Sequence, residues 1–518
     1  MRAFNLITEP WIICIDHRGN QKKVSLEDLF SGAHTFMGLG SEEAIVDGGL
    51  YRLLLAILAR VFGPKNYYAW EELLIAEKFD LRAILAYLET FHDRFYLFDD
   101  QRPFYQCGDE RVKPKTPLKM MPHLASGNNV TLFDHNTERE GISLTCDQGA
   151  RYVVALQYYG LGGLSGIPEK FTAAPSCRGI SFFVMGKNLF ETLVLNMIHY
   201  TGDDDRPIPS DGTGEDMPSW EMDDPFQKRD EPYGLLDYLT WQNRRVLLIP
   251  TVGEESITIN NITEAPGLRM SSDFLDGVRN RDPYQYYYRG SKNEPFVLRF
   301  QLEREVWRNS ATILRHKDEL APPENIRWLQ ELARAGIKIG SHTCNLEALG
   351  MVSDKAKVFF YKRDSYPLPL EYIEKEDLVI SLEKEINIAE EIGISLHYAV
   401  EKIATYLPNY EQKENGGNKK EKGQIQEHLN AVNNYWSKLE PGFVDLITHL
   451  PRDVVSSELA WQETVRAAAR EALEHALRLA GTSAGGLKAG VHARAILEKN
   501  IREKLPLLYK EVTNEHPK

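Results

Sequence analysis

The run Gly160-Leu161-Gly162-Gly163-Leu164-Ser165-Gly166 is the most conspicuous place in this chain where residue type and spacing could carry chemistry. It follows the apolar run Tyr152 to Leu156. A dinucleotide fingerprint would need a strand before the glycines and an amphipathic helix opening on the last of them. Ile167-Pro168-Glu169-Lys170 is a poor helix start, and the absence of a following Gly-Lys-Ser/Thr excludes a P-loop. Two readings stand. One is a glycine-rich turn between elements, which spacing alone favours. The other is a flexible loop that brings backbone N–H and C=O groups against a ligand that side chains would block. A narrow DNA minor groove is one such ligand.

Catalytic constellations are sparse. His123, His135, His199, His316 and His342 are isolated, with no His-x-Glu or His-Asp pairing suited to a metal. Asp203-Asp204-Asp205, beside Gly202 and Pro207, reads as an exposed loop rather than a Mg²⁺ site. Gly481 to Gly485 matches Gly-x-Ser-x-Gly but falls between two helices, whereas a nucleophile elbow requires a strand-to-helix turn. No acid–base pair, metal or cofactor is expected.

Two stretches combine cations with aromatics. Arg279-Asn280-Arg281-Asp282-Pro283-Tyr284 leads into Tyr286-Tyr287-Tyr288-Arg289-Gly290-Ser291-Lys292, and Lys355-Ala356-Lys357 leads into Phe359-Phe360-Tyr361-Lys362-Arg363. The second has the pattern of a hairpin, with Gly350 to Asp354 forming or approaching its turn. Each is either an edge strand protected by its charges or a cationic hairpin pressed against phosphates and base edges. Composition leaves both open.

The elements that must position these residues fall into two kinds. At 518 residues, 42% hydrophobic and 26% charged, the chain exceeds one compact core, and roughly two to four domains are expected. Phe4–Ile7 and Trp11–Ile15 are strand-like, and His17–Asn20 is a turn before another short strand. Ser25 to Asp28 has the form of a helix N-cap with an acidic first turn. Gly49 to Phe62 is an apolar helix that must be buried. From about Gln101 to Phe300 the pattern is irregular, with long loops expected near Pro122–Asp147 and Gly202–Pro232. After about Asp377 helical periodicity dominates in Leu378–Tyr406, Gln424–Leu450, Ser457–Leu479 and Gly486–Leu507, the pattern of a bundle. Glu411 to Lys422 is a solvated connection. The expected domains are therefore 1–377, mixed α/β, and 378–518, helical.

A net charge of −14 argues against a broad nucleic-acid coat. It allows a narrow basic site on an acidic body whose partners supply most phosphate contacts. Cys14, Cys107, Cys146, Cys177 and Cys344 are scattered, so neither a disulfide scaffold nor a four-cysteine zinc site is expected. No charged-then-apolar leader opens the sequence, and no stretch reaches the ~18 apolar residues that span a bilayer. A soluble, cytoplasmic protein with no membrane partner is expected.

The string Phe4-Asn5-Leu6-Ile7-Thr8-Glu9-Pro10-Trp11-Ile12, then Val24 to Phe30, resembles the opening of the large subunit (CasA type) of the type I-E CRISPR Cascade complex. The apolar helix Leu50–Leu58, Gly127-Asn128-Asn129, Phe133-Asp134-His135, the glycine loop, Val306-Trp307-Arg308-Asn309, Tyr366-Pro367-Leu368-Pro369-Leu370 and the helical C-terminal region continue it in order. The resemblance implies an α+β fold, with a large mixed α/β N-terminal domain followed by a C-terminal four-helix bundle. It implies a non-catalytic subunit that finds the protospacer-adjacent motif in double-stranded target DNA and helps open the duplex for guide pairing. Pairing then reads sequence while protein reads a short flank. The implied partners are the guide-RNA Cascade backbone subunits, the crRNA, target DNA and a separate nuclease-helicase.

Carried over residue by residue, the family's glycine loop matches Gly160, Gly162 and Gly163. Its wedge, a hairpin tip driven between base pairs, falls on Ser353, Asp354, Lys355 and Ala356. Asp354 and Lys355 depart from the glutamine or asparagine of some members. The family's lysine finger lands at Arg289 or Lys292. A guide- or DNA-contacting loop falls on about Asn128 to Glu140, including Asn129, Phe133 and His135. Some members hold zinc through two cysteine pairs; Cys146 alone cannot. Two alternatives have their own signatures: a nucleotide-binding enzyme using Gly160–Gly166, and a pure scaffold whose basic hairpins are edge strands.

Overall fold

The computed structural model describes residues 1–121, 142–200, 208, 215–254, 256–277, 281–290, 294–302, 304–315, 322–340, 343–354, 357–407 and 419–509, with backbone alone at 119, 353, 354, 357 and 419–421. The chain divides into two compact units, Met1–Val306 with His316–Ser365, and Trp307–Arg315 with Tyr366–Lys518. The boundary read at Asp377 lies two residues into a long helix, Glu376–Tyr406. Chain passes between the units after Val306, after Arg315 and, within a strand, after Ser365.

In the first unit, β1 (Ala3–Asn5), β2 (Ile12–Asp16) and β3 (Gln21–Val24) open the chain. β2 and β3 pair around the expected turn, where Asp16 Oδ1 accepts from Arg18 N at 2.8 Å and Asn20 N at 2.9 Å. β1 does not join them. It pairs with β5 (Tyr96–Phe98), because Thr8 N and Glu9 N turn back onto Asn5 O ahead of Pro10. Ser25 caps α1 (Leu26–Gly32), its Oγ accepting from Asp28 N at 3.0 Å. β4 (Phe36–Leu39) lies beside β2.

α2 (Ala44–Val61) is buried at every residue from Ala44 to Ala59, as an all-round apolar helix requires. Around it come α3 (Tyr67–Ile75), α4 (Leu81–Thr90), β6 (Leu144–Thr145), α5 (Cys146–Tyr159), β7 (Ser181–Met185), α6 (Leu189–Leu195) and α7 (Leu235–Leu239). α5 begins inside the stretch expected to be loop up to Asp147; a capping box of Thr145 and Gln148 starts it. β8 (Arg244–Val252) and β9 (Ile257–Pro266) form a long hairpin, followed by α8 (Ser272–Asp276), β10 (Tyr287–Arg289) and β11 (Pro295–Val297). After an excursion through α9 (Ser310–Leu314) the chain forms α10 (Glu324–Arg334), β12 (Cys344–Asp354) and β13 (Lys357–Leu368). Gly350 to Asp354, expected to form or approach the turn of a hairpin, is the end of β12, and the three-stranded order is β13-β12-β7.

One buried ion pair organises this unit. Arg52 of α2 reaches Asp282, and neither side chain has exposed surface. Tyr238 OH donates to Asp282 Oδ2 at 3.1 Å and Tyr284 N to its Oδ1 at 3.0 Å. The guanidinium carbon lies 5.5 Å from the ring centroids of both Tyr158 and Tyr284. Arg281 is buried as well, 3.8 Å from Glu324. From Arg281 to Tyr286 the first basic-plus-aromatic stretch is therefore core, the charges of Arg281 and Asp282 neutralised internally.

In the second unit come α11 (Glu371–Glu374), α12 (Glu376–Tyr406), α13 (Lys419–Leu429), α14 (Ala431–His449), α15 (Val454–Ala480), α16 (Ala484–Lys504) and α17 (Pro506–Tyr509). α12 packs on α14, α15 and α16, and α14 packs on α15, so four long helices share one core among the described residues. The helix expected over Gln424–Leu450 is two, because Asn430 takes φ +47°, a left-handed conformation asparagine tolerates. The segment Trp307–Arg315 is sewn into this bundle. Trp307 stacks 4.5 Å from Phe443, and Arg308 grips Glu390 with bonds of 2.9 and 2.7 Å. Of Gly481 to Gly485, expected to be a loop between two helices, Gly481–Ser483 joins α15 to α16, while Ala484 and Gly485 open α16 behind the Ser483 N-cap.

Breaking a buried pair leaves an uncompensated charge, at about 3–5 kcal/mol. Asp282→Ala is accordingly expected to shift denaturant unfolding of the first unit by that amount. Adding Arg52→Met should recover part of the loss, because the orphaned guanidinium is gone.

Candidate nucleic-acid interface

α5 delivers the glycine loop. The apolar run Tyr152–Leu156 is helix rather than strand, so the dinucleotide fingerprint lacks the strand it requires. Gly160 N closes the helix on Leu156 O at 3.0 Å, and the chain returns antiparallel to itself. Gly163 N and O bond Phe171 O and N at 3.0 and 2.9 Å, Ala174 N bonds Gly160 O at 2.9 Å, and Ser176 N bonds Tyr158 O at 2.9 Å.

Arg244, at the start of β8, holds the base of this loop. Its Nη2 donates to Leu161 O at 2.6 Å and its Nη1 to Thr172 O at 3.0 Å. The guanidinium carbon sits 4.7 Å from the Phe171 ring centroid, and Glu264 lies 3.5 Å away. Burial pulls its pKa below the ordinary arginine value, opposed by Glu264. Nearer the tip, Arg111 pairs with Glu169 at 2.9 Å.

The three candidate glycines separate by environment. Gly160 is buried, and a Cβ there would meet Leu156 O at 2.7 Å and Arg244 Nη2 at 2.8 Å, so its glycine serves packing. Gly162 is half-buried against Ala173 N. Gly163 is exposed, with nothing within 4 Å of a Cβ position and no positive φ. The fold does not require glycine at 163. Beyond it Leu164 is 86% exposed, and Gly166 takes φ +88°, where a side chain would be strained.

Ser176–Ser181, the return path of this loop, is also where both hairpins attach. Ser176 O accepts from Gln285 Nε2 at 3.3 Å, Ile180 N donates to Leu298 O at 3.0 Å, and Ser181 bridges Gln285. β10 and β11 extend from that contact as a two-stranded ribbon, with Arg289 opposite Pro295. On the other side Leu349 of β12 pairs with Ser181. Gly179 lies at the junction, where a Cβ would overlap Gln285 Oε1 and Val297 Cγ2. Thus the glycine loop, the ribbon carrying Arg289 and the β12–β13 hairpin are tethered to one short segment.

The β12–β13 hairpin has a charged anchor. Arg363 of β13 reaches Asp47 of α2, with Glu347 of β12 at 4.0 Å. Ser41 N donates to Asp47 Oδ1 at 3.1 Å. Burial raises the Asp47 pKa against the pull of Arg363. Burial, then the neighbouring Asp47, pushes Glu347 up to about 7, with Arg363 opposing. A neutral Glu347 beside an Asp47–Arg363 pair leaves the cluster close to electroneutral.

Ser353 and Asp354 end β12, their backbone alone described. Lys355, Ala356, Lys292, Asn128, Asn129, Phe133 and His135 lie outside the described residues. Arg289 is half-buried on its ribbon. Arg244, Gly179, Asp47 and Glu347 escaped the reading of the sequence, because a single charge or glycine at the edge of an apolar run has no local signature. His199 bonds Lys65 O at 2.9 Å and stacks on Trp328 at 5.0 Å. Among the described residues no three His, Cys, Asp or Glu side chains are grouped to hold a metal ion. No disulfide links any of the five cysteines.

A mixed α/β unit that gathers a glycine loop and two β-hairpins on one strand end, in a chain completed by a helical bundle, defines a protein built around exposed backbone and ribbons. Residues 5–472 match the family described as CRISPR-associated protein Cse1. CRISPR-associated protein CasA/Cse1 of Thermus thermophilus is 32% identical over 506 residues, spanning 94% of this chain and 95% of that protein. The crystal structure of Thermus thermophilus CasA matches with TM-score 0.78 at 26% identity, over 96% of this chain and 99% of that one. A chain of a CRISPR RNA-guided surveillance complex shares the fold at 20% identity, TM-score 0.74, over 96% and 100% of the two chains. The chain belongs to the Cse1/CasA family.

Because folding raises the Glu347 pKa, its stabilising contribution is complete below about 4.5 and is lost as pH rises through about 7. Glu347→Gln is expected to match the wild type in thermal midpoint at the acid end of that window. It should exceed the wild type by a few degrees above it. Equal midpoints across the whole range would show that Glu347 titrates normally.

Proposed function

We propose that this chain is the non-catalytic large subunit of a CRISPR RNA-guided Cascade complex. In this reading it recognises the protospacer-adjacent motif in target double-stranded DNA and helps open the duplex for guide pairing. It also offers a docking surface to the nuclease-helicase. Family membership and the fold shared with a chain of a surveillance complex support the assignment.

The observation that carries it is Gly163. Its N–H and C=O are bonded to Phe171 while its Cα faces solvent, on a loop held at its base by Arg244, and nothing in the fold forbids a side chain there. A bare backbone at an exposed position suits approach to the floor of a minor groove, where the guanine amino group is the one protruding donor. Glycine permits the approach and leaves no slack for that group. The β12–β13 hairpin, anchored by Arg363 to α2, would drive its tip at Ser353 to Ala356 into the adjacent base step. Unstacking a step costs a few kcal/mol, offset by contacts to the separated strands. Arg289 of the ribbon, or Lys292 outside the described residues, would supply a cationic finger to the backbone.

A net charge of −14 fits a subunit that reads a flank while crRNA-bearing backbone subunits provide most phosphate contacts. No helix of the described residues is long and apolar enough to cross a membrane. We place the complex in the cytoplasm.

Target-duplex binding by the reconstituted guide-RNA complex is to be compared across flanking sequences with the wild-type subunit, without it, and with Gly163→Asp. Base-edge recognition is worth about 1–3 kcal/mol, so loss of flank preference by roughly ten-fold or more is expected for Gly163→Asp. Its thermal midpoint should stay at the wild-type value. Normal discrimination by the variant would make the loop structural and move the site elsewhere.

A further inference from the structure

The ribbon β10–β11 carries a feature that flank reading does not use. Tyr288 and Phe296 are directly opposite each other across its two strands. Their rings stack at 6.0 Å between centroids, tilted by 26°. Both remain exposed, at 44% and 41%. The alternate residues face inward, with Val297 against Gly179, so the pair occupies the outer face of the ribbon.

A cross-strand aromatic pair stabilises a ribbon through its own ring contact, and both of these rings keep solvent-exposed surface besides. The two nearly parallel rings leave exposed aromatic surface on the ribbon. Between Tyr286 and Phe300 the chain holds three cations, Arg289, Lys292 and Arg299, against the single carboxylate Glu294. That balance reverses the sign of the chain as a whole. Exposed aromatic rings in a net-basic segment are elements with which proteins hold unpaired nucleic acid, because every base has a face to stack and every nucleotide a phosphate. The ribbon also hangs from the Ser176–Ser181 segment to which the glycine loop and the β12–β13 hairpin are tethered.

We propose that Tyr288 and Phe296 form a stacking platform for an unpaired base of the opened target DNA next to the recognised flank. The proposal rests on the reading that this chain meets and opens a DNA duplex. Stacking would be indifferent to base identity, so the platform would stabilise the opened state without adding to flank specificity.

The test uses the complete guide-RNA complex with 2-aminopurine placed at successive target positions beside the flank. The variants are Tyr288→Leu with Phe296→Leu, and the conservative Tyr288→Phe. Emission should rise as the duplex opens and be quenched again at one position by wild type and by Tyr288→Phe. The double leucine variant should leave that position bright and weaken target binding roughly ten-fold, with flank discrimination intact. Leucine keeps the bulk at two exposed positions, and an unchanged thermal midpoint establishes that the variant is folded.

Wild-type quenching and affinity in the double variant overturn the platform. So does failure of that variant to enter the guide-RNA complex before DNA is added, which would make the face a protein contact. Gly163→Asp, run in parallel, separates the two readings. If discrimination depends on Gly163 while the fluorescence ignores Tyr288 and Phe296, only the platform falls. If discrimination survives removal of the whole subunit, the recognition reading falls and takes the platform with it.

Discussion

A guanidinium without exposed surface must bring its counter-charge into the core with it, and Arg52 does so by drawing Asp282 against α2. The consequences reach well beyond the pair. Asp282 also accepts from Tyr238 OH of α7 and Tyr284 N, which sets the path of the chain as it leaves for the β10–β11 ribbon. Tyr158, under the guanidinium at 5.5 Å, is next to the last residue of α5, where the glycine loop begins. One buried pair thereby sets the starting points of a loop and a ribbon that are far apart in sequence and share one segment in space.

The same constraint governs the arginines generally. Arg52, Arg244 and Arg281 are buried and neutralised by Asp282, Glu264 and Glu324. They are therefore unavailable to phosphates, and because each takes a carboxylate into the core with it, the net charge left at the surface is unchanged. Affinity for nucleic acid in such a protein must come from shape, exposed backbone, a few cations and partner subunits rather than from a charged coat. Arg244 shows the structural use of a buried cation: bonds to Leu161 O and Thr172 O hold two chain segments whose carbonyls would otherwise be orphaned.

Anchoring differs between the two recognition elements. Arg244 grips the glycine loop through neutral carbonyls, whose bonding does not change with pH. The β12–β13 hairpin is tied to α2 through three ionisable groups, Asp47, Glu347 and Arg363.

What was legible from sequence depended on the range of the interaction involved. Ser25 capping α1, the turn at Asp16–Asn20, the buried α2 and the bundle helices follow from contacts within a few residues, where periodicity and capping chemistry act alone. The glycine run was visible as a loop, but its three candidate glycines looked equivalent. Only packing made Gly160 a spacer against Leu156 and Arg244 and left Gly163 open. β1 paired with the distant β5, and Arg281 and Asp282 turned from surface charges into core, because partners for strand edges and buried charges are found in space. The sequence by itself determined the α+β class, the helical C-terminal region and the family, since these rest on local pattern and ordered motifs. The tertiary structure alone decided which residues face solvent together, because burial and long-range pairing are properties of the assembled core.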